Sequence, residues 1–174
     1  AYATLASSDV NLLLAPEVPF TVERVCAFLK ERLRRKAHAV IVAAEGAGQD
    51  LAPAAGTDAS GNRKLGDIGA FLKAAITERF KNAPHPATVR YIDPSYTLRS
   101  APAIADDSVF CFQLAENAVH AAMSGRTAML VGLWNGHFVH IPMEKAVHAR
   151  KKIDPKGLLW QSILDNTGQP AALA

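Results

Sequence analysis

The sequence predicts an α/β fold, with a mainly parallel sheet, helices on both faces, a C-terminal antiparallel β-hairpin edge and a helical tail. Short unbroken apolar runs, typical of buried parallel strands, alternate with segments whose apolar residues recur at the spacing of one helix face. Such alternation indicates a parallel sheet. An Asn-Gly pair between two apolar segments is the strongest hairpin signal in the chain.

The first part of the chain contains two of the predicted strands. Residues 1–8 are typical of a helix end, and residues 10–15 (VNLLLA) of a buried strand that stops at Pro16. Thr21 can cap the helix that follows. The apolar face of this helix is formed by Val22, Val25, Cys26, Leu29 and Leu33. Residues 38–44 (HAVIVAA) predict the second strand.

The middle of the chain begins with a long irregular segment. Residues 45–62 are rich in glycine, proline and short polar side chains, which predicts a loop. A second amphipathic helix is predicted over residues 65–80, and a third strand over residues 87–92 (ATVRYI). Residues 91–103 (YIDPSYTLRSAPA), with their prolines, predict a loop that leaves this strand.

The last part of the chain predicts a long helix, a hairpin and a tail. The helix is expected to run from a cap at Asp107 or Ser108 to a stop at Gly125. The hairpin is expected to turn at residues 135–136, between TAMLVGLW and HFVHIPM. Residues 144–165 predict a helical tail, with the final residues frayed. The tail is expected to bury Leu158, Leu159, Ile163 and Leu164.

Composition narrows the classes of partner. The chain has 174 residues, of which 49% are apolar and 20% charged, enough for one substantial core. Its formal net charge of +3 falls short of the dense basic clusters of nucleic-acid surfaces. The one basic run, residues 30–36 (KERLRRK), ends a predicted helix, where cations complement the helix dipole. No apolar run reaches the roughly 18–20 residues of a membrane span. We therefore predict neither a nucleic acid nor a membrane as a partner.

Two further features concern the setting of the chain. Cys26 and Cys111 show neither a disulfide framework nor a metal-ligand spacing, which favours a reducing compartment, the cytoplasm or the interior of an organelle. The chain begins AYATLASSD, without an initiator methionine and within a helix end. We therefore expect it to be part of a longer protein.

Polar side chains follow two of the predicted strands. In parallel sheets, ligands bind beyond the carboxyl ends of the strands. Glu45 ends an apolar strand, where an ionised carboxylate needs solvent or donors. Sugar hydroxyls are suitable donors, and a structural capping role is the alternative. Arg90 and Arg99 bracket the loop YIDPSYTLRSAPA; a guanidinium matches a phosphate well, and a weak surface ion pair is the alternative.

Other motifs do not predict a site. The segment EGAGQD (residues 45–50) lacks the third glycine of a dinucleotide-binding loop and does not run straight into a helix. His137 and His140 form an H-x-x-H motif, but in a strand they point to opposite faces, so we predict no metal site. Residues 106–107 (DD) are interpreted as a helix cap. No serine has the context of a catalytic nucleophile, and we predict no catalytic residue in this chain.

Four blocks of sequence carry a family resemblance: PEVPF (16–20), IVAAEGAGQ (41–49) with TDASGNRKLGDIG (57–69), YIDPSYTLRSAPA (91–103), and LAENAVHAAMSGRTAMLVG (114–132). They resemble the C-terminal half of 6-phosphofructokinases, most closely the ATP-dependent enzymes of plants and protists. The blocks occur in the order typical of the family. The resemblance implies a region that binds fructose 6-phosphate over residues 1–143, and leaves residues 144–174 as a C-terminal helical tail.

The resemblance also implies a set of substrate-binding residues. Glu45 matches the glutamate that binds the hydroxyls of fructose 6-phosphate, and Arg99 matches the arginine that holds its phosphate. Tyr96 stands where shorter bacterial enzymes have a histidine. Thr97 and Leu98 complete the implied substrate-binding loop.

Arg90 has a separate implied role. Bacterial enzymes have at this position an arginine that reaches the substrate phosphate of a neighbouring subunit, whereas plant-type members often have a lysine. The resemblance therefore implies a homo-oligomer, a dimer or a tetramer, with active sites at subunit interfaces.

The chain lacks several motifs of the family. The glycine-rich GGDGT loop, the TIDND segment with the catalytic aspartate, and the substrate-binding Met-Gly-Arg are all absent. We therefore expect a missing N-terminal half to supply these groups and to bind ATP with Mg²⁺, and we expect this chain to be inactive alone. The alternatives are a pyrophosphate-dependent phosphofructokinase and a non-catalytic phosphofructokinase-like subunit.

Overall fold

The computed structural model describes the chain except for residues 53–55, 58, 60, 62–63 and 85. The helices are α1 (Tyr2–Ala6), α2 (Val22–Arg35), α3 (Ile68–Phe80), α4 (Ser95–Ser100), α5 (Ala105–Met123), α6 (Met143–Val147) and α7 (Leu158–Thr167). The strands are β1 (Leu12–Leu14), β2 (Ile41–Ala43), β3 (Met129–Trp134) and β4 (His137–Pro142).

The chain divides into two compact units. The first contains residues 1–93 and 152–174, and the second contains residues 94–151. This division rests on which residues pack together. The predicted boundary at residue 143 rests on the resemblance instead, and it stays a prediction.

A parallel pair of strands forms the centre of the first unit. β1 and β2 pair in register, with Leu13 opposite Val42. The pairing extends by one bond at each end, since Asn11 N–H donates to Val40 O at 2.9 Å and Ala44 N–H donates to Leu14 O at 2.9 Å. Both strands were predicted from their apolar runs, and both are confirmed, with shorter bounds.

Helices cover both faces of this sheet, as predicted. Successive side chains of a strand point to opposite faces, so Leu12 and Leu14 pack with the buried faces of α2 and α3. Leu13 packs on the other side, with Trp160 and Ile163 of α7. Burying one such side chain stabilises the fold by about 1.5–3 kcal/mol. Sequence periodicity alone did not single out Trp160, which is 2% exposed.

Capping residues begin two of these helices. Thr21 Oγ1 accepts a hydrogen bond from Arg24 N–H at 3.3 Å, which confirms the predicted cap of α2. Asp67 Oδ1 accepts one from Ala70 N–H at 2.8 Å and begins α3. Leu65, predicted as part of this helix, lies before it. The predicted loop of residues 45–62 is irregular where the structure describes it, and the rest of that prediction lies outside the described residues.

The prediction of a third strand was wrong. Residues 87–92 form no strand, although Ala87 and Val89 pack against the core while Thr88 and Arg90 are exposed. The alternating burial of these residues shows only the directions in which their side chains face. A strand also needs a neighbouring backbone to pair with, and this segment has none in the described part of the chain.

The C-terminal tail is well anchored, contrary to the prediction that it frays. Thr21 N–H donates to Leu173 O at 2.8 Å, and the side chain of Leu173 joins the core. The predicted helix over residues 144–165 is instead two helices, α6 and α7. Ile163 is buried as predicted, whereas Leu158 is 88% exposed because it lies in the first turn of α7, on the side away from the sheet.

The second unit consists of α4, α5, the hairpin and α6. β3 and β4 are antiparallel, and Asn135 (φ 49°) and Gly136 (φ 80°) form the predicted turn with left-handed backbones. The hairpin is confirmed, but it forms a sheet of its own rather than an edge of the parallel sheet. Phe110 of α5 stacks on Phe138 of β4, with ring centroids 6.2 Å apart.

The ends of α5 differ in part from the prediction. Gly125 has φ 75° just after the helix, as expected for its stop. At the start, the cap is Ile104 without a side-chain bond, so Asp107 and Ser108 are not caps. Asp106 and Asp107 lie in the first turn, where negative charge favours the helix dipole.

No helix in the described residues combines the length and the apolar character needed to cross a membrane.

Candidate functional site

Glu45 lies on the turn that leaves the carboxyl end of β2. Its side chain is exposed, and within the described residues its carboxylate makes no hydrogen bond and no ion pair. The described residues therefore contain no capping bond from this side chain; a structural cap was the alternative to ligand binding. Only the backbone of Glu45 is held, since its carbonyl oxygen accepts a hydrogen bond from Gln49 Nε2 at 2.8 Å.

Gln49 connects this turn to the segment before α3. Its Nε2 also donates to Gly66 O at 3.1 Å, and its Oε1 accepts from Gly66 N–H at 2.8 Å. Position 66 requires glycine, because a Cβ there would overlap the carbonyl oxygen of Ala52. The sequence motif AEGAGQ (residues 44–49) predicted a role for Glu45. The role of Gln49 depends on a contact 17 positions away that no local pattern predicts.

Arg90 is exposed and directly precedes Tyr91, whose ring contacts the start of α3. The hydroxyl of Tyr91 donates a hydrogen bond to the carboxylate of Asp67, which raises the pKa of Tyr91 because the bond favours the neutral phenol. Slight burial and the negative charges of Asp67 and Asp93 raise it further. The ring of Tyr91 lies against Gly69, where a Cβ would come within 2.9 Å of Cδ2 and closer still to Cζ.

Tyr96 and Arg99 lie in α4, in the segment that the sequence predicted as a loop. The helix forms because Pro94 O accepts a hydrogen bond from Leu98 N–H at 2.8 Å, and Ser100 Oγ donates to Tyr96 O at 2.8 Å. Residues three positions apart share one face of a helix. The phenol of Tyr96 and the guanidinium of Arg99 can therefore contact one ligand.

The side chains of α4 are open to solvent. Tyr96 is 83% exposed and Leu98 69%, and Thr97 is exposed as well. Among the described residues, neither Arg90 nor Arg99 forms an ion pair. The predicted alternative of a surface ion pair therefore has no counterpart in the described residues.

The predicted site residues are divided between the two units. Glu45 and Arg90 belong to the first unit, and residues 96–99 to the second. The structure brings Tyr96 and Arg99 onto one helix face. The convergence of all these residues on a single ligand stays a prediction.

The remaining polar motifs have local partners or none. Arg126 Nη1 donates to His140 Nδ1 at 2.7 Å, within the second unit. His137 lies opposite Trp134 at the hairpin end. Within the described residues, no three His, Cys, Asp or Glu side chains gather closely enough to hold a metal ion.

Comparison with known proteins assigns the chain to a family. The model of the family described as Phosphofructokinase matches residues 1–122. The chain is 48% identical over 98% of its length to an ATP-dependent 6-phosphofructokinase of Amycolatopsis methanolica, and 47% identical over 99% to one of Borreliella burgdorferi. It is 41% identical over 99% to ATP-dependent 6-phosphofructokinase 7 of Arabidopsis thaliana.

The chain belongs to the phosphofructokinase family. It spans between 37% and 41% of the length of these curated relatives. The resemblance to plant enzymes is confirmed, and it extends to bacterial ones.

Proposed function

We propose that the chain supplies the sugar-phosphate site of an ATP-dependent 6-phosphofructokinase. The complete protein would transfer a phosphoryl group from ATP to the 1-hydroxyl of fructose 6-phosphate. The observation that carries this proposal is the pairing of Tyr96 and Arg99 on one face of α4, exposed and within the motif typical of the family. The names of the relatives support ATP as the donor rather than pyrophosphate.

Each binding residue has a role that follows from its chemistry. The planar guanidinium of Arg99 can hold two oxygens of the 6-phosphate, and the hydroxyl of Tyr96 can donate to the same group. The carboxylate of Glu45 can accept hydrogen bonds from the sugar hydroxyls. Its lack of a protein partner in the described residues supports this role. Thr97 and Leu98 lie between these two residues in α4 and complete the proposed substrate-binding segment.

Arg90 is assigned to an interface between subunits. We infer that it contacts the phosphate bound by a neighbouring copy, so that the protein is a homo-oligomer. Its exposure and its lack of an ion-pair partner in the described residues support this inference.

The phosphoryl donor is assigned to the rest of the protein. The described residues contain no group of three His, Cys, Asp or Glu side chains that could hold a metal ion, and we assign Mg²⁺, with ATP, to the rest of the protein. Its residues bind and orient one substrate. We accordingly expect the chain alone to show no turnover.

Replacing Arg99 in the full-length protein tests the proposal. A charge-assisted hydrogen bond contributes about 1.5–3 kcal/mol, so Arg99→Ala should raise KM for fructose 6-phosphate by about 10- to 100-fold. KM for ATP should change little. Arg150→Ala, which removes an exposed arginine of the same unit, is the matched control. An unchanged KM for fructose 6-phosphate would contradict the proposal, and activity with pyrophosphate alone would favour the other donor.

A further inference from the structure

Two loops that carry proposed substrate residues are tied to one short stretch of the chain. This stretch is residues 66–69 (GDIG), called here the GDIG segment. We propose that the GDIG segment is a common anchor that positions Glu45 through Gln49, and Arg90 through Tyr91. The inference rests on the function proposed above, and it assigns Gln49 and Tyr91 as positioning residues for binding of the phosphorylated hexose.

The first arm of the anchor is the amide of Gln49. It makes three hydrogen bonds, at 2.8, 3.1 and 2.8 Å, to Glu45 O, Gly66 O and Gly66 N–H. One side chain thus fixes the backbone of the turn at Glu45 relative to the segment before α3. Because the carboxylate of Glu45 has no partner of its own in the described residues, its position depends on that backbone.

The second arm is the phenol of Tyr91. Its ring packs on the bare backbone of Gly69, and Asp67, whose carboxylate accepts Ala70 N–H at the start of α3, lies two residues earlier. Because Arg90 directly precedes Tyr91 in the chain, this contact also positions the backbone of Arg90. Any side chain at position 69 would displace the ring, so this contact requires glycine.

The GDIG segment is itself held by the core of the first unit. Ile68 is 4% exposed and packs in the main core, together with Leu72 one turn further along α3. Both loops are therefore held by contacts with the same part of the core. A displacement of the GDIG segment would move Glu45 and Arg90 together, and misplacement by about 1 Å can cost on the order of a hundredfold in rate.

Amide hydrogen exchange of the ligand-free, full-length protein tests the anchor directly. Gln49→Leu should speed exchange of residues 44–47 by about tenfold, because it removes three hydrogen bonds that oppose local opening. Gln161→Leu is the matched control, since the side-chain amide of Gln161 donates to Asp165, within the exposed part of α7. Unchanged exchange at residues 44–47 in Gln49→Leu would overturn the proposal.

A double-mutant cycle tests whether Gln49 acts through Glu45. Gln49→Leu should raise KM for fructose 6-phosphate by about tenfold, with KM for ATP unchanged. In a Glu45→Ala background, the same substitution should have little further effect. An equal further rise in that background would overturn the positioning role, because a merely structural defect would act independently of Glu45.

The outcomes separate this inference from the proposed function. A KM raised by Glu45→Ala but not by Gln49→Leu contradicts the anchor alone, whereas a KM unaffected by Glu45→Ala contradicts the substrate role of Glu45 itself. If Gln49→Leu fails to fold, Tyr91→Ala takes its place, because it removes the ring that packs on Gly69. It should raise KM for fructose 6-phosphate in the native background and not in an Arg90→Ala background, and additive effects would overturn the proposal.

Discussion

The two cysteines of the chain lie in different surroundings. Cys26 is buried in the core beside α3, and Cys111 is exposed on α5. Burial raises the pKa of the Cys26 thiol; the positive charge of Arg79 opposes the rise and the negative charge of Glu23 adds to it. The reactive form of a cysteine is the thiolate, so both burial and the raised pKa protect Cys26.

Alkylation should therefore distinguish the two thiols. At about pH 8, iodoacetamide should label Cys111 at least about tenfold faster than Cys26. Peptide mass spectrometry over a time course measures both rates in one sample. Labelling in denaturant, where the rates should become equal, is the control. Equal rates in the folded chain would contradict the burial of Cys26.

At the scale of the element, β1 depends on a side chain from the far end of the sequence. Leu13 N–H donates to Gln169 Oε1 at 2.7 Å, and Gln169 Nε2 donates to Leu13 O at 3.2 Å. The amide of Gln169 thus takes the place of a neighbouring strand on the edge of β1 that faces away from β2. Gln169 is itself 5% exposed, so both polar groups are removed from water.

Removing this amide should destabilise the first unit. Gln169→Leu leaves the buried backbone groups of Leu13 without partners, which costs about 1–3 kcal/mol. The shift in a denaturant unfolding transition measures this loss. Gln161→Leu, at an exposed glutamine of α7, should change the free energy of unfolding by less than about 0.5 kcal/mol. Equal effects of the two substitutions would contradict the role given to Gln169.

At the scale of the whole molecule, the two units differ in how much they bury. The first has a cluster of buried apolar side chains on each side of β1, whereas in the second, residues 94–151, Ala121 is the one buried residue. Large apolar side chains of α5 remain open to solvent, among them Phe112 (70% exposed) and Met123 (83%). So little burial cannot offset the conformational entropy lost on folding.

The second unit should therefore not fold by itself. Excised residues 94–151 should show weak circular dichroism and no cooperative thermal transition, because an isolated hairpin and a single helix are each marginal in water. The 174-residue chain, measured under the same conditions, provides the comparison. A sharp unfolding transition of the excised segment would contradict this expectation.

The sequence by itself determined the local features of this protein. The cap at Thr21, the turn at residues 135–136, the stop at Gly125 and the apolar faces of α2 and α3 depend on residues a few positions apart, so their spacing predicts them. The proposed substrate residues Glu45, Tyr96 and Arg99 were also named from sequence, through the family motif. Their joint site stays a prediction.

Only the tertiary structure decided what depends on distant partners. It showed that residues 87–92 have no strand to pair with in the described part of the chain, and that the tail is anchored by Gln169, which is 156 positions from Leu13. It also revealed the contacts of Gln49 and Tyr91 with the GDIG segment. The physical reason is common to these cases. Hydrogen bonds between distant segments depend on the path of the whole chain, and local sequence periodicity does not predict that path.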